Sequence, residues 1–416
     1  MSHSSTLYAL EYEAESTFGE DVTTFTTFRL PTVEPPDFGS LTQEMMDSGR
    51  SVQYRNEQSA PIPGPMGGSI VTKFDLTGHG STTSGATTIE QIETFFGLVF
   101  GGTSAVSASP GLTTTGGTAS VPTMSAATGF VAGAMCRIGA LGDAKGNGQF
   151  VAIATHSSSN LNLLTAIDGS PGASDVVYAA GMMFVNETAT TTAVTGVRFR
   201  YRTANIGFEL HGCYPTSWSI TGLNAGERPQ ITVTWGVAWW RYTASAVPSA
   251  VTMDVFPGAP VGAGSLFLNS VGTVTRALQS YLDFSIDYTA GVVPIEGPGG
   301  ANAYQKCIGA RRITDRCVVN ITVLAEAATA SPTHAAIWDD FVEPSGTQTA
   351  RHACLTLNPH IGASVGMYWP RLKPTGGRPT QIVWNGLNAV KLSFLAGAGA
   401  TTTTDLTMSM FRMAFA

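Results

Sequence analysis

Charged residues are scarce in this sequence. Asp, Glu, Lys and Arg make up 12% of the 416 residues, about half the fraction typical of soluble domains. The net charge is −7 and no segment is a run of basic residues, which argues against binding nucleic acid through phosphate neutralisation. Small and polar residues take the place of charge, with 47 Gly and 22 Pro. Either the loops are long and polar, or neighbouring chains cover the surface, because interface cores are depleted of charge; we favour the second.

Cysteine is also rare, and its spacing excludes a disulfide framework. The five cysteines are odd in number and widely separated, so they predict free thiols buried in the core of a chain that folds in a reducing cytoplasm. The first ten residues lack the basic and apolar regions of a signal peptide. No apolar run reaches the length needed to span a membrane.

Motifs of catalysis and cofactor binding are missing in recognisable form. Gly362–Gly366 matches the Gly-x-Ser-x-Gly elbow of hydrolases, but no helix is expected after it. His352, Cys354 and His360 lie close together without a common zinc spacing. Gly297–Lys306 is glycine-rich but lacks the Gly-Lys-Ser/Thr ending of a phosphate-binding loop. We therefore expect no catalytic residue, no cofactor and no metal site, and a protein that is not an enzyme.

Four aromatic residues cluster at Trp235, Trp239, Trp240 and Tyr242. They could form a platform on which sugars or bases stack. Such groups are more often the core and rim of a packed sheet, and we favour that interpretation.

Alternating apolar and polar residues dominate the rest of the chain and predict antiparallel strands with one buried face. The clearest examples are Ser69–Leu76, Val197–Tyr201 and Gln230–Trp240. Only two helices are predicted. The first, Thr88–Phe96, has a capping threonine, and the second, Ser331–Val342, begins with Ser-Pro.

Two segments interrupt this pattern. Pro31–Gly68 is rich in proline and reads as one long loop, which is uncommon inside a compact protein and is usually functional. A small-residue stretch, Gly101–Ala127, is followed by a compact unit, Gly129–Val185, with short strands joined by Gly, Asp and Asn turns. This unit predicts a small β-barrel inserted into the surrounding domain.

The order of elements occurs twice. A strand precedes a helix at Ser69–Phe96 and again at Cys317–Val342, and a block of strands follows each helix. The predicted strands of these blocks are 197–201, 206–210, 216–220 and 230–240, then 353–357, 363–368, 372–373, 380–385 and 389–395. The predicted domains are 1–105 with the loop 31–68, the insert 106–187, the return of the first domain 188–255, and a second domain 256–416.

Five segments, taken in order, resemble the tail tube proteins of long-tailed bacteriophages. They are Tyr8–Glu20, Phe38–Arg50, Ser69–Gly80, Phe95–Gly102 and Phe208–Trp240. The last is the most telling, with a Gly-Cys strand, a Ser-x-Ser strand and a Gly-Glu turn before a Thr-rich strand. The likeness covers nearly the whole chain if the second half is a second tube domain, and it rests on element order and loose motifs.

The resemblance implies a mainly β protein with two tandem β-sandwich domains, each flanked by a short helix. Six such domains would form a ring, so three chains would suffice, with a hexamer as the alternative. Stacked rings would make a hollow tube through which DNA passes without specific binding. The insert would decorate the outside, and the early loop would reach the next ring. The protein would assemble in the bacterial cytoplasm and reside in the virion tail beside other tail proteins, with no membrane involved.

Candidate contact residues follow from these features. The early loop supplies candidates for inter-ring or inter-subunit contact: Phe38, Leu41, Met45, Arg50, Tyr54 and Arg55. Arg311 and Arg312, near Asp315 and Arg316, form the densest charge group, which is either a solvated turn or an ion-pair site between subunits.

The alternatives to a tube subunit are two. One is a carbohydrate- or receptor-binding β-sandwich, for which the insert and the tryptophan cluster would be the evidence. The other is a different β-rich tail or decoration protein of a virion, because low charge and the lack of catalytic motifs suit that class as well.

Overall fold

The structure is a computed structural model. It describes residues 8–21, 25, 30, 32–46, 62–76, 91–104, 111–127, 129–139, 148–185, 193–203, 206–224, 226–243, 264–273, 278–279, 281–297, 300, 305–324, 337, 340–341, 349–357, 364–375, 379–398 and 409–415.

The described residues are mainly β, as the sequence predicts. They contain one continuous α-helix, α1 at Gln91–Phe100, and 24 strands. The strands before the insert are β1 Ala9–Ala14, β2 Thr42–Met46, β3 Ile62–Asp75 and β4 Gly101–Ser104. Those of the insert are β5 Leu112–Thr118, β6 Val121–Met124, β7 Met135–Ile138, β8 Phe150–His156, β9 Leu161–Leu163 and β10 Ala173–Ala179.

The remaining strands follow the insert. They are β11 Gly181–Val185, β12 Val197–Arg202, β13 Gly207–Thr221, β14 Gln230–Val237, β15 Trp239–Thr243, β16 Gly264–Ser270, β17 Leu278–Gln279, β18 Tyr281–Glu296, β19 Cys307–Leu324, β20 Arg351–Leu357, β21 Val365–Pro374, β22 Thr380–Trp384, β23 Leu387–Ala396 and β24 Arg412–Phe415. Ile337, Asp340 and Phe341 are also helical, inside the second predicted helix.

The first half of the chain builds an antiparallel arrangement around β13. One edge of β13 pairs with β12, and β12 pairs with β1. The other edge pairs with β15 along its first residues and with β14 along its last. β14 then pairs with β3, and β3 pairs with β2. A buried core of aromatic and aliphatic side chains, including Phe74, Phe95 and Trp235, fills this half.

The second half repeats this pairing order around β21. β21 pairs with β20, and β20 with β16. On its other edge β21 pairs first with β24 and then with β23, β23 pairs with β19, and β19 with β18. The order of elements seen in the sequence is therefore also a repeat of strand pairing. The two halves lie in one 18-stranded sheet.

The registers of the two halves match in detail. Phe208 pairs with Tyr242 as Met367 pairs with Met413, and Pro215 pairs with Trp235 as Pro374 pairs with Phe394. Even an irregularity is shared: β2 slips by one residue against β3 after Gln43, and β18 slips against β19 at the corresponding point, after Gly291. Bulges change the direction of a strand, so both hairpins bend at the same place.

The insert forms a separate six-stranded sheet in the order β6-β5-β10-β7-β8-β9. Its two outer strands approach each other, with a bridge between Thr123 and Asn160 and a hydrogen bond of 2.8 Å from Met124 N to Ser159 O. The sheet is thus nearly closed and barrel-like, which confirms the predicted small β-barrel. β11 then returns to the large sheet, where it pairs with β4 and β24, although the predicted insert extends through it.

The insert packs against the second half of the chain. Phe150 of β8 shares a buried cluster with Phe267, Cys354 and Tyr368. The amide of Phe150 donates to Thr356 Oγ1 at 3.1 Å, and a Cβ on Gly366 would lie 2.3 Å from the Phe150 ring. The insert therefore covers the β20–β21 face of the second half.

Several predicted boundaries are wrong. The supposed loop Pro31–Gly68 contains β2 and the first part of β3, and its residues 47–61 lie outside the described residues. The first helix extends to Phe100, and its predicted start also lies outside them. Two pairs of predicted strands merge into β13 and β21, and the single strand predicted at 230–240 divides at Ala238. β18, with sixteen residues, was not predicted.

The five cysteines are all buried and free, as expected from their spacing. In the described part of the chain, no helix combines the length and apolar character needed to cross a bilayer.

Candidate functional site

The two halves meet edge to edge where β13 pairs with β18. Ser217, Trp218, Ser219 and Ile220 pair in antiparallel register with 289, 288, 287 and 286 respectively. β13 ends one half at this edge, and β18 begins the other half's hairpin. The junction joins unlike surfaces. The end of β13 and the turn after it form the rear of the first half, and the first part of β18 forms the front of the second half.

Aromatic side chains fill the junction beneath this pairing. The Trp218 ring stacks on Tyr288 with 4.7 Å between centroids and contacts Phe411 at 5.3 Å. Phe100, at the end of α1, meets Trp218 edge-on at 4.9 Å. Burial raises the pKa of Tyr288 well above its ordinary value. Aromatic pairs in such geometry add to the apolar burial, so the junction has the character of a core.

The turn after β13 also contacts the second half. Leu223 is fully buried, and the Tyr281 hydroxyl donates to its carbonyl at 3.0 Å. The amide of Phe284 donates to Asn224 Oδ1 at 3.2 Å. The turn thereby covers the beginning of β18.

A second contact lies at β24, the last strand. β11 pairs with it from Gly181 to Phe184, and the Phe96 ring of α1 stacks on Phe415 at 6.1 Å. Arg312 of β19 reaches back to donate to Phe100 O at 2.9 Å. Three elements of the first half, α1, β11 and β13, thus contact the second half.

The first half carries an apolar surface at the start of β13 and before β2, which we call the front patch: Phe38, Leu41, Ile206, Phe208 and Tyr242. Tyr242 is 67% and Ile206 52% exposed. Phe38 stacks on Phe208 at 4.9 Å, and Phe208 contacts Tyr242 at 4.8 Å. The patch is therefore preassembled by ring contacts although its outer face is open.

The second half exposes another apolar surface, the rear patch: Ile382, Val383, Trp384 and Leu387. These residues lie at the tip of the β22–β23 hairpin, where Asn385 and Gly386 both have positive φ, as tight hairpin turns require. Val383 is 74% and Leu387 48% exposed. Large apolar side chains at an exposed tip are typical of an interaction surface.

Buried ionisable groups gather around the turn that follows β1 in the first half. Glu15 accepts hydrogen bonds from the amides of Gly19 at 2.7 Å and Gly212 at 2.8 Å, yet burial raises its pKa to about 7. His211 stacks on Trp239 at 4.0 Å, and burial lowers its pKa to about 4. The bonds to two glycine amides fix the turn after β1, so this group is structural.

The predicted contact residues fall into three groups. Phe38 and Leu41 belong to the front patch, and the backbone of Met45 lies in β2. Arg50, Tyr54 and Arg55 lie outside the described residues.

Arg311 and Arg312 lie in β19 and not in a turn. Arg311 is exposed, whereas Arg312 is 3% exposed and lies 3.6 Å from Asp315. Burial raises the pKa of that Asp315 carboxyl. Arg312 therefore makes contacts inside the chain and does not belong to a solvated turn, whereas an inter-subunit contact through Arg311 and Arg312 stays a prediction.

Sequence reasoning did not separate Tyr242 from the rest of the aromatic cluster, and it missed the rear patch. A usable signal was present for the second, because apolar residues flank an Asn-Gly pair, the strongest short hairpin signal. Nothing in the sequence could tell that Tyr242 points outward while its neighbour Trp240 is buried.

The other candidate chemistries find little support among the described residues. No group of three or more metal-ligating side chains occurs there, and His360 lies outside them. Ser364 is buried, accepts a hydrogen bond from Arg137 Nε at 3.0 Å, and precedes a strand, unlike a hydrolase elbow. Trp235, Trp239 and Trp240 are buried, so they form core and rim, not a stacking platform.

No protein-family model and no curated protein matches the chain.

Proposed function

We propose that the chain is a structural subunit of a bacteriophage tail tube and not an enzyme. Copies assemble into rings, and the rings stack into a hollow conduit for DNA. A ring contains three chains, and hence six related halves.

The observation that carries this proposal is the doubled fold joined head to tail. The first half contacts the second through unlike surfaces, which is a heterologous contact. A heterologous contact repeated around an axis either closes into a ring or continues as a filament. Because both halves share one pairing order, the contact inside the chain can be repeated between chains.

Two further features support the proposal. The front patch and the rear patch are apolar and lie on different halves, as a self-assembling subunit needs. The low charge of 12% suits a surface that neighbours cover, and the net charge of −7 suits a lumen along which DNA slides without binding.

The test is electron microscopy of the purified chain at increasing concentration. We expect hollow rods of constant width in negative stain, built from rings with threefold symmetry. Native mass measurement of the smallest closed species should give three chains of 43.4 kDa. A monomer that stays dispersed and binds an oligosaccharide would instead support a binding module.

A further inference from the structure

We propose that the front patch of one copy binds the rear patch of the next copy, in the same way that the two halves bind inside one chain. The segment around β2 of one copy would then pair beside β22 of the other, as β18 pairs beside β13, because Ser219 and Ile220 of β13 correspond by register to Thr380 and Gln381 of β22. The inference deepens the proposed function, on which it rests for the presence of a second copy.

The first step is the equivalence of β2 and β18. Both pair with the long strand that precedes a helix, in the same register and with the same one-residue slip. Thr42 thereby corresponds to Thr289. In β18, the residues up to Thr289 carry the pairing with β13, whereas β2 pairs only with β3 among the described residues.

The second step concerns the turns after β13 and β22. Both turns join strands whose registers match: Thr221 pairs with Gln230 as Ile382 pairs with Ala389, so Leu223 corresponds to Trp384 and Asn224 to Asn385. Leu223 is fully buried against the second half. Its counterpart lies in the rear patch, where Val383 is 74% exposed. The surface around this turn is therefore covered in the first half, whereas the equivalent surface of the second half is open.

The third step concerns the front patch. By register, Ile206, Phe208 and Tyr242 correspond to Val365, Met367 and Met413, which are all fully buried. β11 of the first half covers that end of the second half, and Phe415 beside it stacks on Phe96 of α1. The exposed positions of the front patch are thus those that a preceding half would cover.

The two patches also agree in chemistry. Both consist of large apolar and aromatic side chains, and each lies beside a strand, β2 or β22, that has one paired edge among the described residues. An open edge pairs readily with another chain, and the apolar contact around it would fix the register. Since the patches are unlike and lie on different halves, each copy can bind one neighbour at the front and one at the rear.

The experiment uses two full-length variants and a control. Val383→Asp puts a charge in the rear patch, and Tyr242→Asp puts one in the front patch. Both positions are highly exposed, so the folded chain should tolerate them. Val131→Asp, at a position 41% exposed on the insert, is the matched control. Assembly is followed by sedimentation velocity and negative-stain microscopy.

We expect each patch variant to raise the concentration for half-assembly by about 30-fold or more, while the control assembles like the wild type. A one-to-one mixture of the two patch variants should form a dimer and stop, because each retains the patch that the other has lost. Circular dichroism of both variants should match the wild type, which separates lost assembly from lost folding.

Other outcomes separate this inference from the proposed function. If the wild type forms tubes and both variants do so equally, the proposed interface is wrong and the tube proposal stands. If the wild type forms closed rings that the variants abolish, but never stacks, the interface stands and the tube proposal is wrong. A wild type that remains monomeric overturns both.

Discussion

Arg312 links the two halves through a charge that is almost completely buried. Its side chain lies beside Asp315 and donates to Phe100 O at the end of α1. The backbone of Gly101 permits this approach, since a Cβ there would lie 2.4 Å from Arg312 Nη1. The arginine therefore connects β19 to the helix of the other half.

Arg312→Ala should destabilise the monomer by about 3–5 kcal/mol, because it leaves the Asp315 carboxyl buried without its cation. Urea denaturation measures the change. Arg311→Ala, one residue away and exposed, is the control and should stay within about 0.5 kcal/mol of the wild type. If the Arg312 variant folds with normal stability but fails to assemble, the result would indicate that Arg312 acts between chains and not within one.

Glu15 gives the first half a dependence on pH. Its pKa in the folded chain is raised to about 7 from 4.5, so the folded state holds a proton that the unfolded state has lost between these values. Stability from this group is thus present at low pH and declines as pH rises through 7. His211 and His352, with pKa values lowered to about 4, act in the opposite direction below pH 6.5.

Glu15→Gln removes the titration of this one group and isolates its effect. Relative to the wild type, the variant should gain roughly 3 kcal/mol in free energy of unfolding as pH rises from about 4.5 to about 7.5. At low pH it should be the less stable protein, because an amide offers one oxygen to the two glycine amides. Denaturation at each pH, with exposed Glu227→Gln as control, makes the comparison; a constant difference would contradict the buried carboxyl.

At the scale of elements, the attachment of the insert depends on a glycine. Gly366 of β21 lies against the Phe150 ring, so Gly366→Ala should push β8 away and cost about 1–3 kcal/mol. Hydrogen exchange of the Phe150 amide, which donates to Thr356 Oγ1, should become faster. Gly397→Ala, where a Cβ would meet nothing within 4 Å, is the control. Unchanged protection at Phe150 would show that the insert attaches elsewhere.

Strand type was predictable from alternation, but strand length was not. Gly212 and Pro215 look like a turn, yet they lie inside β13. The strand changes partner there, from β15 to β14, and a bulge after Pro215 absorbs the missing donor. β21 changes partner around Pro370 in the same way. Such a change of partner depends on the tertiary structure, whereas the local sequence pattern predicts a break in the strand.

At the scale of the whole molecule, the repeat was visible as an order of elements and the insert as a compact unit. The surfaces on which the insert and the second half meet were not visible. Which half the insert covers depends on Gly366, Cys354 and Phe267 lying on one face, and these positions are far apart in sequence. The two patches required the same knowledge, because exposure is decided by neighbours distant in the chain.

The strand pairing between β13 and β18 also changes the kinetics of assembly. Half of the contacts in the proposed ring form within single chains, at a rate independent of concentration. Closing the ring then requires three chains to associate and not six separate domains. The rate of ring formation therefore depends on a lower power of the protein concentration. The insert is present in only one of the two halves of each chain, so the exterior of the proposed ring would repeat every 120° and not every 60°. A molecule that binds the inserts would then follow a three-start path along the tube.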